Sequence, residues 1–268
     1  MRLSRFAATT AAFFVTTALA LTGTSAAASG RQAAATGYTA LGDSYSSGVG
    51  AGSYDSASGD CKRSTKAYPA LWAASHSPSS FRFAACSGAR TGDVLNSQLS
   101  SLDSSTGLVS ITIGGNDAGF ADTMTTCALS SESACLARVA QAVDYVRNTL
   151  PAKLDGVYTA ISQKAPSARV VVLGYPHFYK IGGSCIAGLS EKSRTAINGA
   201  ADEINGVTAK RAADHGFSFA DVNTTFAGHE LCSGAAWLHS VTYPVLESYH
   251  PTATGQSSGY LPVFSGAA

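Results

Sequence analysis

Arg169–Leu173 (RVVVL) is the stretch that most constrains the fold. It is a continuous, β-branched apolar run closed by Gly174 and Pro176. Such a run predicts a strand buried on both faces, which requires helices on both sides of a parallel sheet. Tyr38–Leu41, Phe81–Ala85, Leu108–Ile113 and Phe217–Val222 read as further strands. Between them the pattern turns helical over Tyr68–His76, residues 91–102 (TGDVLNSQLSSL), Ala134–Lys164 with an interruption near Pro151, and Ser190–His215. Strands alternating with helices predict an α/β fold with one parallel five-stranded sheet. No internal repeat or linker divides the chain.

The N-terminus reads as an address. Arg2 and Arg5 precede the uncharged run Phe6–Leu21, and small residues follow. This is the order of a secretory signal peptide. The run falls short of the ~20 apolar residues that span a bilayer, and it carries four threonines. Residues 1–34 are therefore expected to be a cleaved leader, with the cut between 28 and 35, and residues 35–268 a single exported domain. Only 13% of the chain is charged, with a net charge of +1; removing Arg2, Arg5 and Arg31 leaves 15 basic residues against 17 acidic, or −2. That balance argues against a nucleic-acid partner. No other run is long enough to predict a membrane span.

Six cysteines (Cys61, Cys86, Cys127, Cys135, Cys185, Cys232) lie beyond the leader. An even count in an exported chain implies disulfides. Fifteen pairings are possible, and neighbour pairing (61–86, 127–135, 185–232) closes the shortest loops. No CxxC or HExxH spacing suggests zinc, so no metal is expected.

In an open parallel sheet, ligands bind beyond the carboxyl ends of the strands. Three such ends carry chemistry. The first strand runs into Gly42-Asp43-Ser44, the second into Cys86-Ser87-Gly88-Ala89, and the third into Gly114-Gly115-Asn116-Asp117. Each alone reads as a polar turn, with Asp43 as a helix cap. In order, they supply a serine nucleophile, a glycine N–H and an asparagine amide, which together make a nucleophile with an oxyanion hole.

Six histidines are candidates for the base: His76, His177, His215, His229, His239 and His250. His76 and His215 fall near helix ends and read as C-terminal caps. His177 follows the fourth strand and is placed to line the cleft. His250 lies in Glu247-Ser248-Tyr249-His250-Pro251, where a carboxylate three residues earlier is positioned to hold one ring nitrogen. Pro251 is expected to open a short final helix. Gly255-Gln256-Ser257-Ser258-Gly259 matches the G-x-S-x-G elbow. No strand precedes it and no histidine follows it, so it is set aside.

These blocks in this order resemble the GDSL, or SGNH, ester hydrolases over the whole chain beyond the leader, and most resemble that family's secreted lipases. The resemblance implies a three-layer α/β/α fold with a flavodoxin-like sheet, an acyl-enzyme mechanism needing no metal or cofactor, and neighbour-paired disulfides. By position it implies Ser44 as nucleophile, His250 as base, and Ser44 N–H, Gly88 N–H and the Asn116 side chain as oxyanion donors. The family usually carries Asp-x-x-His-Pro, whereas this chain has Glu247. Either the longer side chain reaches His250, or a backbone carbonyl orients the imidazole and the site is a dyad.

The expected function is hydrolysis of carboxylic esters of lipids by a secreted lipase or esterase acting as a monomer. Phospholipase, thioesterase and carbohydrate esterase activities are the alternatives within the same chemistry. A non-catalytic binding module would not need a histidine poised against a serine. No substrate-binding residue is assigned: Phe120, Phe178, Tyr179, Trp237, Tyr243 and Tyr249 lie near the motifs. They read either as an acyl groove or as satellite packing of the core.

Overall fold

The computed structural model describes residues 36–185 and 188–268. The expected leader lies outside the described residues. Five parallel strands form one sheet: β1 (Gly37–Gly42), β2 (Phe81–Phe83), β3 (Thr106–Thr112), β4 (Arg169–Leu173) and β5 (Ser218–Ala220). Their spatial order is β2-β1-β3-β4-β5. The chain leaves β1 toward one edge and then returns past it to β3. The crevice between the ends of β1 and β3 is therefore the switch point, where an open α/β sheet receives its ligand.

The helices are α1 (Ser44–Ser47), α2 (Tyr68–His76), α3 (Thr91–Asp93), α4 (Phe120–Leu129), α5 (Glu132–Asn148), α6 (Leu150–Lys164), α7 (Glu191–Asp214), α8 (Asn223–Phe226) and α9 (Leu261–Ala267). α4 packs on α5, α5 on α6 and α7, and α2 on α9, while α7 and α9 both meet β4 and β5. The sheet with its flanking helices gives the layered α/β architecture that its strands require. All of β1 and the last four residues of β4 are buried, as continuous apolar strands must be.

Several elements depart from the sequence pattern for identifiable reasons. β2 stops at Phe83 because the N–H groups of Ala84 and Ala85 both donate to the single carbonyl of Ala40, at 2.8 and 3.0 Å, which turns the chain out of register. α4 carries no sequence signature, since its N-cap is Gly119 at φ 77° with no side-chain cap. Phe120 thus opens a helix rather than lying in a loop. Pro251 bridges to Leu238 instead of opening the final helix. That helix is wide over Gly255–Tyr260 and regular over α9. Here Gly259 lets the backbone lie on Phe226: a Cβ would come within 2.3 Å of its ring. The GQSSG sequence therefore serves packing.

The segment after α3 widens over Val94–Gln98 and tightens over Leu99–Ser101. The distortion delivers the buried Gln98 amide to the end of β1. It accepts from Gly42 N–H at 2.7 Å and donates to Gly42 O at 2.8 Å. Gly42 stands at φ 118°, and a Cβ there would lie 2.3 Å from Thr112 O. Gly42→Ala is expected to destabilise the protein by about 2–4 kcal/mol through strain and clash together. Gly199→Ala, in the exposed middle of α7 with no heavy atom within 4 Å of the new methyl, should stabilise by roughly 0.5–1 kcal/mol. Urea unfolding of the two variants checks both signs.

Candidate active site

The site begins where β1 meets α1. Asp43 caps α1: its Oδ1 accepts from Tyr45 N–H at 3.0 Å. The same carboxyl accepts from the Thr112 hydroxyl at 2.7 Å and from the Tyr175 hydroxyl. Its own N–H donates to Thr112 O at 3.0 Å. Burial pushes the Asp43 carboxyl up to about 6, against the pull of these three donors. Ser44 follows as the first residue of α1, with a backbone N–H that has no protein acceptor among the described residues. A free N–H at a helix start suits an anionic oxygen.

His250 meets this turn from the other end of the chain. Its Nε2 lies 2.8 Å from Ser44 Oγ across 206 residues of sequence. Its Nδ1 lies 3.0 Å from Ser248 O, so Nδ1 carries the hydrogen and Nε2 presents a lone pair to the serine hydroxyl. Burial pushes the imidazole down to about 4, with the Ser248 carbonyl opposing that shift. Two contacts hold the histidine segment in place. Tyr45 Oη donates to Tyr249 O at 2.8 Å, and the His239 ring bonds Gly50 O at 2.8 Å. His239 also exchanges backbone bonds with Tyr249 and His250. Tyr249 takes the left-handed conformation, φ 65°.

Glu247 requires a correction. Its carboxylate accepts from Tyr54 Oη at 2.7 Å, while the hydrogen-bond partners of the His250 ring among the described residues are Ser248 O and Ser44 Oγ. Residues 245–247 form a tight turn, and the His250 N–H donates to Glu247 O at 3.2 Å. The ring is thereby presented to the Ser248 carbonyl, and the carboxylate is directed to Tyr54. Tyr54 in turn accepts from Gly50 N–H at 2.9 Å.

The loops after β2 and β3 are tied together beside this pair. Asn116 Nδ2 donates to Ala89 O at 3.0 Å, leaving its second N–H. Asp117 accepts from both Thr91 N–H and its hydroxyl, at 2.9 and 2.6 Å. Cys86 N–H donates to Gly42 O at 3.0 Å. Gly88 lies between these anchors at φ 76°, and its N–H has no protein acceptor among the described residues. Ser44, His250, Asn116 and the Gly88 loop thus converge at the switch point.

A narrow apolar cavity of about 70 Å³ opens at Ser44 and Asn116 and runs between α4, α5 and α7. Phe120, Met124, Val139, Phe178 and Ile197 are among its walls. Tyr179 and Tyr249 instead line a wider second cavity, Trp237 stacks on His229, and Tyr243 is exposed. His177 does not line the Ser44 cavity; it pairs with Asp202 at 2.6 Å. The disulfides join Cys61 to Cys86, Cys127 to Cys135 and Cys185 to Cys232. Among the described residues, no group of three or more His, Cys, Asp or Glu side chains is placed to hold a metal ion.

Comparison with known proteins agrees with this geometry. The model of the GDSL-like Lipase/Acylhydrolase family matches residues 40–257. A lipase of Streptomyces rimosus is 73% identical over 267 residues, covering 100% of both chains. The crystal structure of the extracellular lipase from Streptomyces rimosus superposes with a TM-score of 0.86 at 75% identity, over 87% of this chain and 100% of that one. The crystal structure of phospholipase A1 from Streptomyces albidoflavus gives the same TM-score, 0.86, at 66% identity over 88% and 100%. With a serine and a histidine in contact at the switch point and a match of this extent, the chain belongs to the GDSL-like lipase and acylhydrolase family.

Proposed function

We propose that this chain hydrolyses carboxylic esters of lipids through an acyl-enzyme on Ser44. The observation that carries the reading is the apolar cavity opening directly at a serine hydroxyl 2.8 Å from an imidazole nitrogen. His250 Nε2 takes the Ser44 proton as Oγ attacks the ester carbonyl carbon. The oxyanion is received by Ser44 N–H, Gly88 N–H and the free hydrogen of Asn116 Nδ2. The tetrahedral carbon then expels the alcohol, which takes the proton from Nε2. Water gives a proton to the same nitrogen, attacks the acyl carbon and releases the fatty acid, and the proton returns to Ser44.

The Ser248 carbonyl fixes the tautomer that makes this possible, so the site works as a Ser-His dyad. Nucleophile, base and oxyanion donors are all supplied by side-chain and backbone groups of this chain. The lipase and phospholipase A1 names of the two structural relatives support a glyceride or phospholipid ester as substrate. The leader pattern, the three disulfides and the extracellular relative support action outside the cell.

Hydrolysis of p-nitrophenyl esters of graded acyl length, beside an acetylated polysaccharide, tests the substrate class. Medium or long chains should be preferred, and activity confined to acetyl groups would overturn the lipid reading. Ser44→Ala should remove turnover with every ester. Asn116→Ala should lower kcat about 10²–10³-fold while the protein stays folded. Glu247→Gln should leave kcat within about tenfold of the parent, because the carboxylate does not hold the ring. A loss near 10⁴-fold, the size expected of an orienting triad acid, would restore Glu247 to the machinery. Only neutral imidazole accepts the serine proton. With His250 pushed down to about 4 by burial, the acid limb of kcat/KM should lie well below the ordinary imidazole value, and a limb at that value would contradict the dry setting of the dyad.

A further inference from the structure

Among the described residues, seven large apolar side chains are exposed: Leu95, Leu129, Ile181, Val241, Tyr243, Val245 and Leu246. Scattered singly, such residues need no explanation, whereas a cluster of them marks an interaction surface. Four of the seven, Val241, Tyr243, Val245 and Leu246, fall within one six-residue loop, and Leu129 and Ile181 lie within two residues of side chains that line the same cavity as Val241. The second cavity, about 750 Å³, is bordered by Ala128, Tyr179, Val241 and Tyr249. Leu129 follows Ala128, Ile181 lies two residues beyond Tyr179, and Val241 is itself on the border. Tyr243, Val245 and Leu246 continue the same loop toward Tyr249 and His250. The most exposed members are Tyr243 at 92%, Leu129 at 82% and Val245 at 73%.

We propose that this rim, centred on the loop 241–246, is the surface by which the enzyme seats itself on a lipid–water interface. The proposal rests on the lipid-ester reading above. Three observations select a lipid surface as the occupant. The segment 240–246 (SVTYPVL) contains no charged residue, so it enters a neutral interface without desolvating an ion. An exposed tyrosine at its tip combines an apolar body with a polar end, the form enriched at bilayer boundaries. Finally, the patch is continuous with the catalytic site. Thr242 N–H donates to Ser248 Oγ at 3.0 Å, and Ser248 is the residue whose carbonyl holds His250. A surface seated on this loop lies beside the dyad, where a lipid leaving its aggregate is received.

The test uses vesicles of diether phosphatidylcholine, which binds without being hydrolysed, and compares wild type, Tyr243→Ser/Val245→Ser and Leu129→Ser. Wild type is expected to co-sediment with the vesicles regardless of salt. The double variant should partition at least tenfold less, and Leu129→Ser should be intermediate. Hydrolysis of dissolved p-nitrophenyl butyrate should stay within twofold in all three, while hydrolysis of an emulsified long-chain ester falls with partitioning. Equal vesicle partitioning by all three proteins overturns the proposal. So does an equal fall on dissolved and emulsified ester, since the loop would then act only through the dyad. A wild-type dimer that the double variant dissociates, without vesicle binding, assigns the patch to a second copy of the chain and also overturns it. Failure of wild type to hydrolyse the dissolved ester would instead strike the ester-hydrolase reading, because partitioning is read without turnover.

Discussion

The buried carboxyl of Asp43 joins the parts of the molecule that must be held in register. Its three donors come from the first turn of α1, the end of β3 and the segment after β4. Tyr175 extends the junction by accepting from Gly115 N–H at 3.2 Å, which bears on the backbone immediately before Asn116. The hydroxyl of Ser46, fully buried, binds both Tyr68 and Thr112 from the same turn. A nucleophile on a four-residue helix has little intrinsic rigidity. Here rigidity comes from hydrogen bonds that cross the sheet in a dry setting, where an unsatisfied partner is costly.

That dryness acts on two titrating groups in opposite senses. Asp43 keeps its proton up to about 6 in the fold, whereas its ordinary value is 3.8, so this group weakens the fold as pH rises through that window. His250 gains its proton only near 4 in the fold, against an ordinary 6.5, so it weakens the fold as pH falls through that interval. The two slopes run against each other over much of the same range. Both groups are held in unfavourable surroundings by neighbours that satisfy their hydrogen bonds.

The sheet was legible because burial on both faces leaves a plain signature, as in Arg169–Leu173, and the Gly42-Asp43-Ser44 turn was legible because strand ends carry few alternatives. What sequence could not convey was direction. Glu247 stands at the right separation from His250, yet the tight turn over Val245–Glu247 points its carboxylate at Tyr54 and offers the Ser248 carbonyl instead. Backbone carbonyls have no letter of their own in a sequence, so an orienting carbonyl is invisible there. Asp43 was readable as a cap, but not as the acceptor for Thr112 and Tyr175, which lie 69 and 132 residues away. α4 was silent because its cap is a glycine without a side-chain bond. Phe120 was legible as a groove candidate, but on a loop rather than at the start of that helix.

The span between Ser44 and His250 has a consequence in time. A chain that emerges N-terminus first can form β1 and display its serine turn early. The imidazole lies 206 residues after the serine, and Tyr45 must meet Tyr249 across 204 positions. Contacts of such long range close late, because the intervening loop entropy is overcome only when the sheet is largely assembled. Until the contact with His250 forms, the Ser44 hydroxyl lacks its base. Reactivity toward esters therefore waits on the closure of this long-range contact.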